Sequence, residues 1–188
     1  TNPNAGGKIQ GAELEEEVAN LFRTIGFEAN RIGGPGDTDV ILRWEDEKKR
    51  VAIVDTKSKS GGQVSHGDIS EIALEAHKEK NKADYVVVIG PGFAGNTIKN
   101  FAQKKRYALI TVQQLTEIAD AAERVGLTLQ EISVAFQGLD GMQRVNEIVE
   151  QRTRELDTIS MIVQQFEDKQ EVFGSLSPRD IFWQLEKE

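Results

Sequence analysis

The sequence predicts an α/β domain, a mixed central sheet flanked by helices, followed by a C-terminal helical extension. Three β-branched or apolar runs come in close succession at 27–32, 39–43 and 50–55, and short runs of this kind read as strands. A fourth, Tyr85-Val-Val-Val-Ile89 within 84–89, is continuously apolar, as a strand covered on both faces requires. Amphipathic stretches of helical period lie before, between and after these runs. The resulting α-β-β-β-α-β-α-β order packs helices against one sheet.

The opening TNPNAGG is rich in Gly and Asn and is expected to be disordered at its start. A first helix follows over about 9–25, where Ile9, Leu14, Val18, Leu21, Phe22 and Ile25 recur at helical intervals before Gly26. The link at 44–49 is short and highly charged, so the second and third strands form an antiparallel pair. Beyond Gly61-Gly62 a polar helix fits 67–81, with Ile69, Ile72, Ala73 and Ala76 as its core-facing stripe. Gly90-Pro91-Gly92 closes the fourth strand; it lacks the Lys-Ser/Thr of a phosphate loop and reads as a strand-to-helix turn. A helix at 97–106 and a strand at 107–111 come next. Two helices at 112–125 and 128–137 then follow, with Gly126 as the break and Thr128 as the cap. The stretch 138–141 divides the chain into a domain at 1–139 and a helical extension at 140–188.

Within that extension, residues 142–170 contain no Gly or Pro. Met142, Val145, Val149, Arg152, Leu156, Ile159, Val163 and Phe166 alternate at spacings of three and four, a heptad-like seam that packs on its own domain or on a second chain. Ser175, Ser177 and Pro178 mark the start of a last helix.

Composition narrows the function classes. The 188 residues are 38% hydrophobic and 29% charged, ordinary for a globular protein, and no apolar run approaches the ~20 residues that span a bilayer. No membrane partner is expected. The absence of cysteine excludes disulfides, zinc ribbons and thiol nucleophiles, and makes the cytoplasm the expected compartment. The chain opens on Thr1 without a basic-then-apolar leader and reads as a fragment or a processed chain. Of the net charge of −8, residues 1–139 contribute −3 and residues 140–188 contribute −5. The front part is therefore expected to grip nucleic acid only weakly by itself.

Chemistry concentrates in Asp37-Thr38-Asp39 and Asp55-Thr56-Lys57. In a tight antiparallel pair the start of one strand lies beside the end of the other, which brings Asp39 near Asp55 and Lys57. Residues 55 and 57 are two apart and share a face. Two carboxylates and a backbone carbonyl suit Mg²⁺, which takes oxygen ligands and keeps several waters. Asp39, Asp55 and the carbonyl of Thr56 would supply the protein's share. Lys57 would then stand beside an attacking water and a scissile phosphate, orienting the one and offsetting charge on the other. A further acid is expected from the first helix: Glu15, which follows the apolar Leu14, with Glu16 and Glu17 left open as alternatives or as a solvated face.

Further landmarks carry a family resemblance. They are Gly33-Gly34 with Asp39 five positions on, Val54-Asp55-Thr56-Lys57 followed by Ser60-Gly61-Gly62, and Gly92-Phe93-Ala94-Gly95-Asn96. Val112-Gln-Gln-Leu115 and Leu127-Thr-Leu129-Gln-Glu131 complete the set. With them the chain resembles the PD-(D/E)XK nuclease superfamily, and within it the cleavage domain of the FokI-type restriction endonucleases, over about 9–136. The resemblance implies a restriction-endonuclease-like αβββαβ core and a type II restriction-like endodeoxyribonuclease. It implies Mg²⁺-dependent hydrolysis of double-stranded DNA, with Mn²⁺ able to substitute, Asp39 and Asp55 as metal ligands and Lys57 as the catalytic lysine. Sequence choice would come from a DNA-recognition domain or subunit, and double-strand cutting would call for a homodimer. In that family the helix after the Gly-Gly turn pairs two cleavage domains through an Asp and an Arg one turn apart. Ser70 and Leu74 stand at those positions here, which puts that contact in doubt. The 140–188 segment has no counterpart and is expected to serve as a linker, coupling or association segment.

Lys59, beside the expected site, and Lys104 and Lys105, at a helix end, are candidates for DNA-backbone contacts; the latter two equally suit a helix dipole. His66 and His77 have no metal-ligand spacing and are expected as ordinary surface residues. Two other functions stay open: a structure-selective repair or junction nuclease, and a non-catalytic assembly module with a nuclease-like fold. Converging carboxylates without a metal argue against the latter.

Overall fold

A computed structural model describes residues 5–34, 37–59 and 62–173. Residues 1–4 of the opening stretch, Ser60 and Gly61, and the helix start at Ser175 to Pro178 lie outside the described residues.

Helix α1 (Ala5–Ile25) buries Val18, Ala19 and Phe22 and ends at Gly26. Strands β1 (Glu28–Arg31), β2 (Val40–Glu45) and β3 (Lys49–Thr56) form an antiparallel meander in which Arg31 faces Val40, Val40 faces Val54 and Glu45 faces Lys49. Asp46 closes the β2–β3 turn by accepting from the Lys48 amide at 3.0 Å and from Arg50 Nε at 3.1 Å. β4 (Tyr85–Gly90) adds parallel to β3, and β5 (Ala108–Thr111) parallel to β4. The sheet is therefore mixed and five-stranded, in the order β1-β2-β3-β4-β5. Helices α2 (Glu71–Asn81) and α3 (Asn96–Lys105) make the two parallel crossovers.

Alternation along the strands builds a core on each face. Ile53, Val86 and Val88 pack with Leu74, Ile98, Ala102 and Tyr107. An aromatic cluster of Phe22, Phe27, Trp44, Tyr85 and Phe136 gathers where β3 and β4 begin, with ring centroids 5.3–6.4 Å apart. α4 (Val112–Val125) and α5 (Leu129–Ser133) each open on a capping box, Thr111 with Gln114 and Thr128 with Glu131. A 3₁₀ turn at Val134–Phe136 follows, so the expected helix at 128–137 is a short helix and a turn.

The segment after β3 departs from its sequence reading. Instead of one helix at 67–81 there is a 3₁₀ turn at His66–Asp68 and then α2, whose cap is Ser70. The expected stripe is out of phase as a result. Ile72 is 85% exposed, whereas Leu74 and His77 are buried at 2% and 9%. Ile69 is buried but precedes the helix, so extending the period from it aimed the stripe wrongly. His77 is thus a core residue, contrary to the surface position expected for it.

The chain divides into two compact units, Thr1–Glu147 and Ile148–Glu188. Helix α6 (Gly141–Phe173) begins in the first, where Met142 and Val145 are buried. A Cβ on Gly141 would lie 2.6 Å from the carbonyl oxygens of Val134 and Ala135, so only glycine fits this approach. In the second unit Leu156, Ile159, Val163 and Phe166 of the expected seam are exposed. Among the described residues no helix is long and apolar enough to cross a membrane.

Phe136 is fully buried and touches four other rings. Phe136→Ala is expected to lower stability by about 3–5 kcal/mol in urea unfolding; a loss under about 1 kcal/mol would show that the cluster is not a principal anchor of the fold.

Candidate active site

The site is built where β2 begins and β3 ends. Thr38 is buried and its hydroxyl donates to the Val54 carbonyl at 3.0 Å, while the Ile32 amide donates to the Asp39 carbonyl at 2.9 Å. These bonds hold the chain entering β2 against both neighbouring strands. The Asp39 carboxylate then reaches across: its Oδ2 accepts from the Thr56 amide at 2.6 Å and from Thr56 Oγ1 at 3.0 Å. Thr56 lies between Asp55 and Lys57, so one residue of β3 ties Asp39 to the other two. Lys57 Nζ is 2.7 Å from Asp55 Oδ2, and the Lys57 amide donates to the Ile89 carbonyl at 2.8 Å. β4 leaves no room beside this exit: a Cβ on Gly90 would come within 2.7 Å of Val64 Cγ2 and 3.6 Å of the Lys57 carbonyl. Asp39, Asp55, Thr56 and Lys57 are thus brought together as their spacing predicts.

The electrostatics are strained in one direction. The Asp55 side chain is only 16% exposed, and burial pushes its carboxyl above the ordinary range. Lys57 pulls it back, Asp39 adds to the rise and His77 opposes it. Apart from the Lys57 ion pair, the buried Oδ2 has no hydrogen bond of ordinary geometry among the described residues. His77 belongs to this neighbourhood although its sequence position gave no sign of it. The signal was available only through Leu74, three residues earlier on the same inward face of α2.

The remaining candidates have other partners. Glu15 is half-buried and pairs with Arg31 at 2.8 Å beside Gly33, while Glu16 pairs with Arg23 on the surface at 2.9 Å and Glu17 is exposed. Lys59 Nζ lies 2.7 Å from Asp68, which also accepts from the amide and hydroxyl of Ser65; together these hold the Asp68 carboxyl far below its usual range. Lys105 is engaged by Glu71 and Glu75 at 2.7 and 3.1 Å, and Lys104 is exposed. Both end α3, on the side where β4 and β5 start, whereas Asp55 and Lys57 stand where β3 ends beside Val88 and Ile89. The structure does not bring Lys104 or Lys105 to the carboxylates. Ser70 caps α2 by accepting from the Ala73 amide and Leu74 is in the core, so neither presents the charge of the family's pairing contact.

Among the described residues no three His, Cys, Asp or Glu side chains cluster to form a metal cage. Two carboxylates do suit a hard cation that keeps most of its water, which is how Mg²⁺ is commonly held. The buried Asp55 Oδ2 and the adjacent Asp39 charge are the features such an ion would relieve.

The restriction endonuclease family model Mrr_cat matches residues 7–119. The chain belongs to this family of restriction endonucleases. Its fold is similar to that of restriction endonuclease FokI (TM-score 0.55, 21% identity), over 69% of this chain and 28% of FokI. A structure of FokI bound to DNA gives a TM-score of 0.57 at 20% identity, over 69% of this chain and 27% of that one. The likeness therefore concerns little more than a quarter of FokI's length. No curated protein matches the chain. The αβββαβ core expected of the family is present, with Asp39, Asp55 and Lys57 inside the matched stretch.

A carboxyl raised by burial keeps its proton to higher pH in the folded chain than in the unfolded one. Stability is therefore lost as pH climbs from the unfolded value of about 3.9 through the folded one. Without metal at pH 7, Asp55→Asn is expected to resist urea better than the natural chain, and the two should converge near pH 3. A less stable variant at pH 7 would mean that the Lys57 pair outweighs burial.

Proposed function

We propose that this restriction endonuclease domain is the cleavage part of a divalent-metal-dependent endodeoxyribonuclease whose sequence choice is made by another domain or subunit. The carrying observation is the Asp39–Thr56 bond pair, which sets two carboxylates and the Lys57 ammonium at one end of the sheet. Asp39, Asp55 and the Thr56 carbonyl would hold Mg²⁺, or Mn²⁺ in its place. A cation bound there supplies Lewis acidity and lowers the pKa of a coordinated water.

The protein's own groups do the rest. Lys57 is a cation held at the strand exit by its pair with Asp55 and by its amide's hydrogen bond to the Ile89 carbonyl. With its Nζ released from Asp55, it can donate to a phosphate oxygen, orient a water and offset negative charge that grows in the transition state. Asp55 keeps Lys57 aimed until substrate arrives. Asp39 fixes the Thr56 backbone and so fixes the spacing of both neighbours, a positioning contribution that depends on sub-ångström geometry. Lys59, four residues past Asp55, is a candidate for the DNA backbone once exchanged from Asp68.

Division of labour between cutting and reading follows from charge. With a net charge of −3 on residues 1–139, neutralisation of phosphates is modest, so binding should be weak and only shallowly dependent on salt. FokI, whose fold is similar, has been solved bound to DNA, which supports duplex DNA as the substrate here.

Supercoiled plasmid incubated with the chain and Mg²⁺ is expected to be nicked or linearised. EDTA should abolish this, and Asp55→Ala or Lys57→Ala should reduce it by about 10²-fold or more. Cutting retained by either variant would remove that residue from the mechanism. The isolated chain is also expected to show no tight binding to any one short duplex at physiological salt; a specific nanomolar complex would refute the division between cutting and reading.

A further inference from the structure

Seven large hydrophobic side chains are exposed among the described residues, and five of them lie in α6: Leu156, Ile159, Met161, Val163 and Phe166. Four of these five are consecutive members of the three-four repeat. Ile159 is 56% exposed. A long helix with such a stripe is stable in water when the stripe is covered by another helix.

We propose that α6 covers this stripe by pairing antiparallel with α6 of a second copy of the chain, about a two-fold axis at residue 161. The heptad assigns Val149, Leu156 and Val163 to one seam position and Arg152, Ile159 and Phe166 to the other. Antiparallel helices set one position against the other, so the possible registers differ by whole heptads. Centring on 161 places Leu156 against Phe166 of the second copy and Ile159 against Val163, each twice by symmetry. Ile162 then flanks the axis beside its own copy. Moving the helices one heptad in one direction sets Arg152 against Val163. Moving them one heptad the other way sets Ile159 against Gln170. Both put a polar residue opposite an aliphatic one in the layer next to the centre of the seam, where the 161-centred register pairs Leu156 with Phe166.

Charge also selects the orientation. A parallel pair would stack Arg152 on Arg152 inside the seam. The antiparallel register places it opposite residue 170 of the second copy, within the sequence stretch 167–171, which holds three acids and one lysine. Within its own helix Arg152 lies 3.8 Å from Glu155. The overlap, residues 149–173, is about 37 Å long at 1.5 Å per residue, long enough for a stable two-helix seam.

Light scattering coupled to gel filtration on the full chain should give twice the monomer mass of 20.9 kDa at micromolar concentration. Ile159→Glu should return it to the monomer mass while leaving the Tm of the Thr1–Glu147 unit unchanged, because the side chain lies outside that unit and is exposed in the single chain. The lack of cysteine makes orientation readable. Leu156→Cys mixed with Phe166→Cys should form an oxidised dimer, and neither variant alone should do so. A monomer at all concentrations, an Ile159→Glu chain that stays dimeric, or cross-linking of Leu156→Cys with itself would overturn the proposal. None of these readouts uses DNA or metal, so they are independent of the nuclease reading.

Discussion

The Asp39 carboxylate accepts two hydrogen bonds from a single residue of the neighbouring strand, the amide and hydroxyl of Thr56. A charged acceptor with two donors is among the stronger polar contacts a protein makes. It replaces the next rung of the ladder beyond Val40 and Val54 and stops the two strands from splaying where regular pairing ends. The position of everything at this end of the sheet depends on it. With Thr56 held, Asp55 and Lys57 are fixed on either side, and Lys57 is in turn fixed to β4 through Ile89.

Stability and chemistry are kept at opposite ends of the same strands. Where β3 and β4 begin, five aromatic rings fill the space between sheet and helices. Where they end, a carboxylate is buried against the preference of its charge, with one lysine as its principal compensation. That arrangement is unfavourable by itself and is sustained by the packing elsewhere. It also explains why the strand exit tolerates so little: Gly90 has Val64 and the Lys57 backbone within reach of any added carbon.

Much of this was legible from residue order. The charged link at 44–49 between two β-branched runs admits little besides a hairpin, and a hairpin necessarily brings residue 39 beside residue 55. What the sequence concealed came from contacts between distant elements. Asp68 folds back on Ser65 to make a separate 3₁₀ turn, which moved the start of α2 to Glu71 and changed the face it buries. His77 therefore lies inward near Asp55, and Ile72 outward. Glu15 is the least exposed member of the Glu15–Glu17 run, but its partner, Arg31, lies across a strand and has no sequence signature. Lys104 and Lys105 read as basic candidates in isolation; only the parallel pairing of β4 and β5 shows them to be at the far end of the sheet.

Calorimetric titration of Mn²⁺ into the natural chain and into Asp39→Asn would most directly test whether the two carboxylates form a metal site. The expected result is one saturable binding event in the natural chain, weakened tenfold or more by a substitution that removes a charge and keeps the side-chain shape. Equal binding by the two chains, or none by the natural one, would contradict the assignment of Asp39 and Asp55 as metal ligands.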